Sequence, residues 1–381
     1  MATFAFLTLV ISCSKSHPAN SNTTSGPDSN ASPLPNTVDK TDTLQVMAYN
    51  VLTYGDGCQG NTTQLDGYLK TIIQYVQPDL LSCEKMEEFY PVPGSFGNLA
   101  DEITNNVLNA AFPGRYGYAT PTNAAGAGDM SVLFYNRQKL TYVSTHTLEV
   151  NITDFNLYKL YYNDPNLAIT RDTTFLYVVV NHTQSGSSSA SRDQQLTQEM
   201  QTLRGKFRYF PNLVNMGDLN TRSSLEAGYQ SIIAAADTGT MMSDPPFSVD
   251  KVVQYPANWD VSPNLYSSYL TTSTRLSASV PNSCGTSGGA KSWYDHIFIS
   301  PWLVKGSDHI QYLPGSYRTI GNDGNRLGVD ENSTTPVANA SVPSPVVEAL
   351  FQFSNKYPVT IRLVVKANRN AYSPTDPVEQ N

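Results

Sequence analysis

The sequence predicts a mixed-sheet α/β fold. Short β-rich runs alternate with stretches of helical spacing along most of the chain. Hairpin-like pairs of runs lie between them. One continuous apolar, β-branched run, Phe175–Asn181, reads as a strand buried on both faces. With 381 residues, 40% hydrophobic and 15% charged, the chain is long enough for one large domain or two ordinary ones.

Leu44–Tyr49 alternates and is rich in strand formers. Leu65, Tyr68, Leu69, Ile72, Ile73 and Val76 follow at helical spacing, with Pro78 as a stop. Asp79–Cys83 is a short buried strand. Ala100–Ala111 reads as a helix closed by Pro113 and Gly114. Met130–Tyr135 and Leu140–Val150 form a meander. Ser191–Arg208 is Gln-rich, with Leu196, Met200, Leu203 and Phe207 at helical spacing. Leu213–Met216, Tyr294–Ile299 and Val359–Val365 complete the strands. Residues 243–289 and 322–345 are long and poorly periodic, as binding surfaces or elaborations are.

The first residues carry an apolar run, Phe4 to Ile11, too short to span a bilayer. It ends at Val10-Ile11-Ser12-Cys13, similar to the lipobox of bacterial lipoproteins, in which Cys13 would be acylated. No positive charge precedes Phe4, and an ordinary signal peptide with an incidental Cys is the alternative. The expected organisation is a signal peptide at 1–13, a polar flexible spacer at 14–41, one domain at 42–367 and a disordered tail at 368–381. The expected location is the bacterial cell envelope, lipid-anchored, or otherwise secreted. In such a compartment Cys58 and Cys284 can pair, while Cys83 is buried and inert.

Polar residues stand at strand ends. Asn50 follows the first strand, Glu84 the second and His182 the Phe175–Asn181 run. Asp218 and Asn220 follow Leu213–Met216, and Asp295 enters Ile297–Ile299. Ligand sites in α/β sheets collect where strand ends open into a crevice. Short acids, amides and a His gathered there suit a hard cation and a phosphate. Each alone reads as a turn or a solvated end; in this order they are far more specific.

The joint pattern resembles the endonuclease/exonuclease/phosphatase superfamily over roughly Leu44 to Val365. The resemblance implies a four-layer α/β/β/α sandwich of two packed mixed β-sheets, as in deoxyribonuclease I. Met47-Ala48-Tyr49-Asn50 is similar to the opening strand, whose Asn helps hold the metal. The segment ending at Glu84 resembles the one that carries the principal metal ligand. Asn181-His182-Thr183 matches the His that meets the phosphate. Gly217-Asp218-Leu219-Asn220 matches the pair that orients water and binds a phosphate oxygen. Asp295 matches the Asp that orients the terminal His, and Asp129 aligns with an acid that partners the middle His. The implied cofactor is Mg2+, or Mn2+ or Ca2+ in its place.

The closing segment departs from the pattern. Where the family has Ser-Asp-His-x-Pro-Val, this chain has Ser354-Asn355-Lys356-Tyr357-Pro358-Val359. One of two His–carboxylate pairs is therefore lost, and Asp129–His182 is the pair that remains. An ammonium is a poor base unless desolvated but a good ligand for phosphate. The reading predicts a contact between Lys356 and Asp295. Ser307-Asp308-His309 is a decoy, since no Pro-Val strand follows it. Two functions stay open: a metal-dependent phosphoesterase slowed by the exchange, or a retired scaffold that binds a phosphorylated ligand or partner. Net charge of −8 disfavours extended duplex DNA. The expected partner is a phosphate ester. The protein is expected to be a monomer that meets membrane only through its lipid anchor. Arg192, Arg204, Lys206, Arg208 and Arg222 are candidates for local positive charge, with a solvated helix face as the alternative.

Overall fold

The computed structural model describes residues 32–87, 98–277 and 284–371. Cys13, the expected signal peptide, the first part of the expected spacer and residues 372–381 lie outside the described residues. Among the described residues no helix is long and apolar enough to cross a membrane.

Twelve strands follow in chain order: β1 (Thr41–Tyr54), β2 (Leu80–Glu87), β3 (Tyr116–Tyr118), β4 (Asp129–Asn136), β5 (Leu140–Val150), β6 (Asp154–Tyr162), β7 (Phe175–His182), β8 (Leu213–Asp218), β9 (Asp295–Ile299), β10 (Ile310–Tyr312), β11 (Arg318–Thr319) and β12 (Val359–Lys366). One sheet runs β10-β12-β1-β2-β4-β3, with β11 also on β12. The other runs β5-β6-β7-β8-β9. Both are mixed: β1–β2 and β7–β8 are parallel, while β1–β12 and β8–β9 are antiparallel.

The period of two along β1 explains the layering. Leu44, Val46 and Ala48 enter the large core that also holds Val178, Val180 and Met216 of the second sheet. Met47, Tyr49 and Val51 face the other way, into a core with Leu69, Ile73, Leu350 and Phe353 of the helices Thr62–Val76 and Ser344–Phe353. The helix Ala190–Lys206 packs on the second sheet through Leu196, Met200 and Leu203. The result is the four-layer α/β/β/α sandwich.

Local chemistry sets the element ends. Asn61 caps the first helix by accepting from the Gln64 amide at 3.0 Å. Gln77 leaves it in the left-handed region (φ 52°), and Pro78 prevents continuation. The expected helix Ala100–Ala111 contains a π-helical turn at Ile103–Leu108. Strand β6 and the helix Ser344–Phe353 were not anticipated.

The expected limits of the domain need correction at both ends. Asn166 accepts from the Val38 amide at 2.7 Å and donates to its carbonyl at 2.8 Å, and Leu34 N donates to Arg369 O at 2.8 Å. The amide of Asn368 donates to Asp164 at 2.6 Å, and its side chain donates to Asp172 at 2.6 Å. Residues 32–41 and 368–371 are thus bonded to the body, by polar contacts that their composition does not advertise. Cys58 and Cys284 form a disulfide, Cα–Cα 5.9 Å, that ties the loop after β1 to the loop before β9. Cys83 is a buried free thiol.

Candidate active site

Register alone assembles two rows of polar residues. In the first sheet Asn50 of β1 stands opposite Glu84 of β2. In the second, His182, Asp218 and Asp295 are consecutive partners across β7, β8 and β9. Pairing breaks immediately after both Asn50 and Glu84, and Leu52, Thr53 and Lys85 adopt φ of 48°, 53° and 59°. Such irregularities re-aim side chains at a sheet rim and are costly for residues with a Cβ. The two sheets face each other, so the rows meet: Asn50 Nδ2 donates to Asp218 Oδ2 at 2.9 Å.

Gly217 lets β7 and β8 approach. Its φ is +150°, and a Cβ there would lie 1.9 Å from the Asn181 carbonyl. Behind the row, the Asn181 and Asn215 amides donate to Glu199 at 2.8 and 2.5 Å. Burial pushes Glu199 up to about 7 despite those two bonds.

Asp218 is held by three donors. Lys356 Nζ lies 2.8 Å from Oδ2, which Asn50 shares, and the Asn220 amide donates to Oδ1 at 3.0 Å. Burial opposes its charge, but Lys356 and His182 outweigh that and hold the carboxyl below the usual range. The expected Lys356–Asp295 contact is therefore corrected: the ammonium pairs with Asp218. It also stands over the Tyr294 ring, 4.7 Å from the centroid. Burial works against the ammonium, yet Asp218 and Asp295 carry its pKa upward.

Neither carboxylate oxygen of Asp295 makes a well-formed hydrogen bond, although the Thr271 hydroxyl, which accepts from the Asp295 amide at 3.1 Å, lies close enough to favour the charged form. Burial, then the charge of Asp218, raises its pKa. Glu84 is fully buried and neither oxygen makes a well-formed hydrogen bond; burial pushes it well above the carboxylate range, the nearby Ser82 hydroxyl works against that, and Asp295 and Asp218 add to the rise. His182 is also buried, with Nδ1 unpartnered. Burial lowers its pKa although Asp218 pulls the other way; Lys85 and Lys356 add to the lowering.

The expected Asp129–His182 pair is not made. Asp129 sits opposite Glu87 on β4, no hydrogen bond joins it to His182, and its charge reaches the ring less strongly than those of Asp218, Lys85 and Lys356. Asn355 turns away from the cluster and donates to Thr286 Oγ1 at 2.7 Å, in the loop held by the disulfide. Asn220 Nδ2 donates to the Thr183 carbonyl at 2.9 Å. Ser307-Asp308-His309 is at the far end of β12, where Ile310 pairs with Val365. His296, next to Asp295, points into an aromatic core against Trp293 and bonds Asp244 at 3.0 Å. Of the expected basic residues, Arg192 is clamped by Glu226 through two 2.6 Å bonds, and Arg222 pairs with Asp260 at 2.9 Å. Both charges are spent locally. Sequence reasoning missed Lys85 and Tyr294; adjacency to Glu84 and Asp295 was the only signal for them.

A hard cation takes oxygen ligands, and the orphaned buried oxygens of Glu84 and Asp295 suit that chemistry. Asn50 does not offer itself as expected, because its Oδ1 already accepts from the Leu52 amide at 2.9 Å and its Nδ2 is committed to Asp218. Among the described residues no three His, Cys, Asp or Glu side chains converge closely enough to hold an ion as they stand.

No family model matches the sequence, and no curated protein does. Solved structures do match. D. rerio TDP2 complexed with single-strand DNA product aligns at a TM-score of 0.50 and 11% identity, covering 84% of this chain and 99% of that one. The chain has the endonuclease/exonuclease/phosphatase fold. An endonuclease/exonuclease/phosphatase family protein from Bacteroides thetaiotaomicron aligns at 0.45 and 14% identity, covering 86% of this chain and 100% of that one. A mannosyl-6-phosphatase from the same species aligns at 0.46 and 14%, covering 84% and 99%. The polar rows lie buried where the two sheets face each other.

Proposed function

We propose that the protein is a metal-dependent phosphate-ester hydrolase whose turnover is slowed by Asn355 and Lys356. The observation that supports this reading most is the meeting of the two rows: Glu84 from one sheet, with His182, Asp218 and Asp295 from the other, joined by Asn50. Glu84 and Asp295 would hold the cation, which when bound neutralises phosphate charge and acidifies water.

The side chains divide the remaining work. Asp218 is saturated by Lys356, Asn50 and the Asn220 amide, and its lowered pKa makes it a weak base. It positions Lys356 rather than taking a proton. His182 is the available acceptor: its lowered pKa keeps the ring neutral at pH 7. Without a carboxylate hydrogen bond on Nδ1 its tautomer is not fixed and its basicity is not raised, which lowers the rate. Lys356 meets a phosphate oxygen with protons not used on Asp218.

The test is turnover of bis-p-nitrophenyl phosphate and p-nitrophenyl phosphate with Mg2+, Mn2+ or Ca2+. The wild type is expected to turn over slowly, Glu84→Gln to be silent, and the double change Asn355→Asp with Lys356→His to gain about 10²-fold or more, in line with a restored proton-transfer group. Silence in both wild type and double variant, with both folded, refutes the hydrolase. One observation favours the second reading, a retired phospholigand binder: the ion pair of Lys356 and Asp218 occupies the group that would otherwise orient water. Phosphate binding without turnover would then be the result.

A further inference from the structure

The backbone around Lys356 is fixed from both sides. Ser354 Oγ accepts from the Lys356 amide at 3.2 Å and donates to the Asn50 carbonyl at 2.8 Å, while the Tyr357 amide donates to Thr271 O at 2.8 Å. The side chain is 6% exposed and ends 2.8 Å from Asp218, whose side chain is 1% exposed. A flexible surface lysine would swing aside when a second cation arrives. This one is held beside two buried acids, Asp218 and Asp295, with little access to solvent.

We propose that Lys356 is a resident counter-ion of the acidic cluster, whose fixed ammonium weakens the hold of Glu84 and Asp295 on a divalent cation. The argument is electrostatic. The cluster has three carboxylates, and one of them is neutralised by Lys356. A divalent ion at Glu84 and Asp295 feels the ammonium as a fixed positive charge in a poorly screened site. A phosphate group arriving beside it offsets that charge and adds oxygen ligands, so the divalent ion is retained with the phosphate rather than ahead of it.

This inference rests on the proposed hydrolase site, and its test reads binding rather than turnover. Free Mn2+ would be followed by electron paramagnetic resonance as it is titrated into the full chain, without substrate. Lys356→Met and Lys356→Gln are expected to bind Mn2+ at least about tenfold more tightly than wild type. Lys356→Arg, which keeps the charge, should remain as weak as wild type. Adding Glu84→Gln to Lys356→Gln should abolish the gain. Equal affinity in wild type and the folded neutral variants overturns the proposal, as does a gain that survives Glu84→Gln. Tight stoichiometric binding by the wild type overturns it without any variant. The two ideas fail separately. Tightened Mn2+ with no turnover in any variant leaves the counter-ion standing and refutes the hydrolase. Turnover by a wild type that binds Mn2+ tightly does the reverse.

Discussion

Replacing Glu84 by Gln should remove activity and at the same time stabilise the metal-free protein. The carboxyl is fully buried, neither oxygen makes a well-formed hydrogen bond, and Asp295 and Asp218 raise its pKa further. A buried polar group left unsatisfied costs about 1–3 kcal/mol. A glutamine amide removes the buried charge and its repulsion by Asp295 and Asp218, and recovers much of that. For a domain of this size roughly 1 kcal/mol moves Tm by about 2–4 °C, so the expected rise is roughly 2–10 °C. The sign with pH follows from the raised pKa. The folded state binds the Glu84 proton more tightly than the unfolded chain, so this contribution is complete below the ordinary carboxyl pKa. It is lost as pH rises through the folded value. The gain from Glu84→Gln should therefore be small near pH 4 and grow toward pH 8.5. Calorimetry in chelator at both pH values reads it. A variant less stable than wild type at pH 8.5, or a difference that does not change with pH, would refute the assignment of Glu84 as an unpartnered acid.

Three further perturbations probe the frame of the site. Gly217→Ala places a methyl 1.9 Å from the Asn181 carbonyl and should cost about 3 kcal/mol or more, read as loss of soluble protein or a fall in Tm; a Tm within 1 °C of wild type would contradict the close approach of β7 and β8. Removing the disulfide with paired Cys58→Ser and Cys284→Ser should cost about 2–5 kcal/mol, since it closes a span of 226 residues, and reductant should lower the wild-type Tm by a similar amount. Glu331, which accepts from the Tyr357 hydroxyl at 2.5 Å and the Asn339 amide at 2.8 Å, is pushed up to about 8, mainly by burial. Wild-type stability should fall by a few kcal/mol from about pH 4.5 to pH 8 on its account. Denaturant titrations of Glu331→Gln should show that slope reduced.

Much of the site could be read from the chain because its residues are short polar groups placed directly after apolar runs. His182 and Asp218 end their strands and Asp295 opens its own, as the apolar runs predict, whereas Asn50 and Glu84 lie inside strands that run on to Tyr54 and Glu87. The partner of Lys356 could not be read the same way. Asp218 and Asp295 are neighbours on adjacent strands, and the choice between them depends on how one sheet docks on the other. Asp129 fails for a related reason: it opens the correct strand, but the bulge after Cys83 sets it opposite Glu87. The ordered stretch at 32–41 was hidden by its composition, because Asn166 holds it with backbone hydrogen bonds rather than by burial of apolar surface. Helix Ser344–Phe353 was masked by the irregular sequence that leads into it, although Val346, Val347, Leu350 and Phe353 are all buried on one side.

The bond from Asn50 to Asp218 has a consequence for how such a site can be disturbed. Each sheet contributes an incomplete set of groups, and nothing within either sheet sets the distance between them. The core residues that separate the sheets, Ala48 and Leu133 on one side and Val180 and Met216 on the other, act as the spacer of the candidate site. A methylene added there, far from any polar atom, would prise the rim open like a shim in a hinge. The two rows would part while folding persisted.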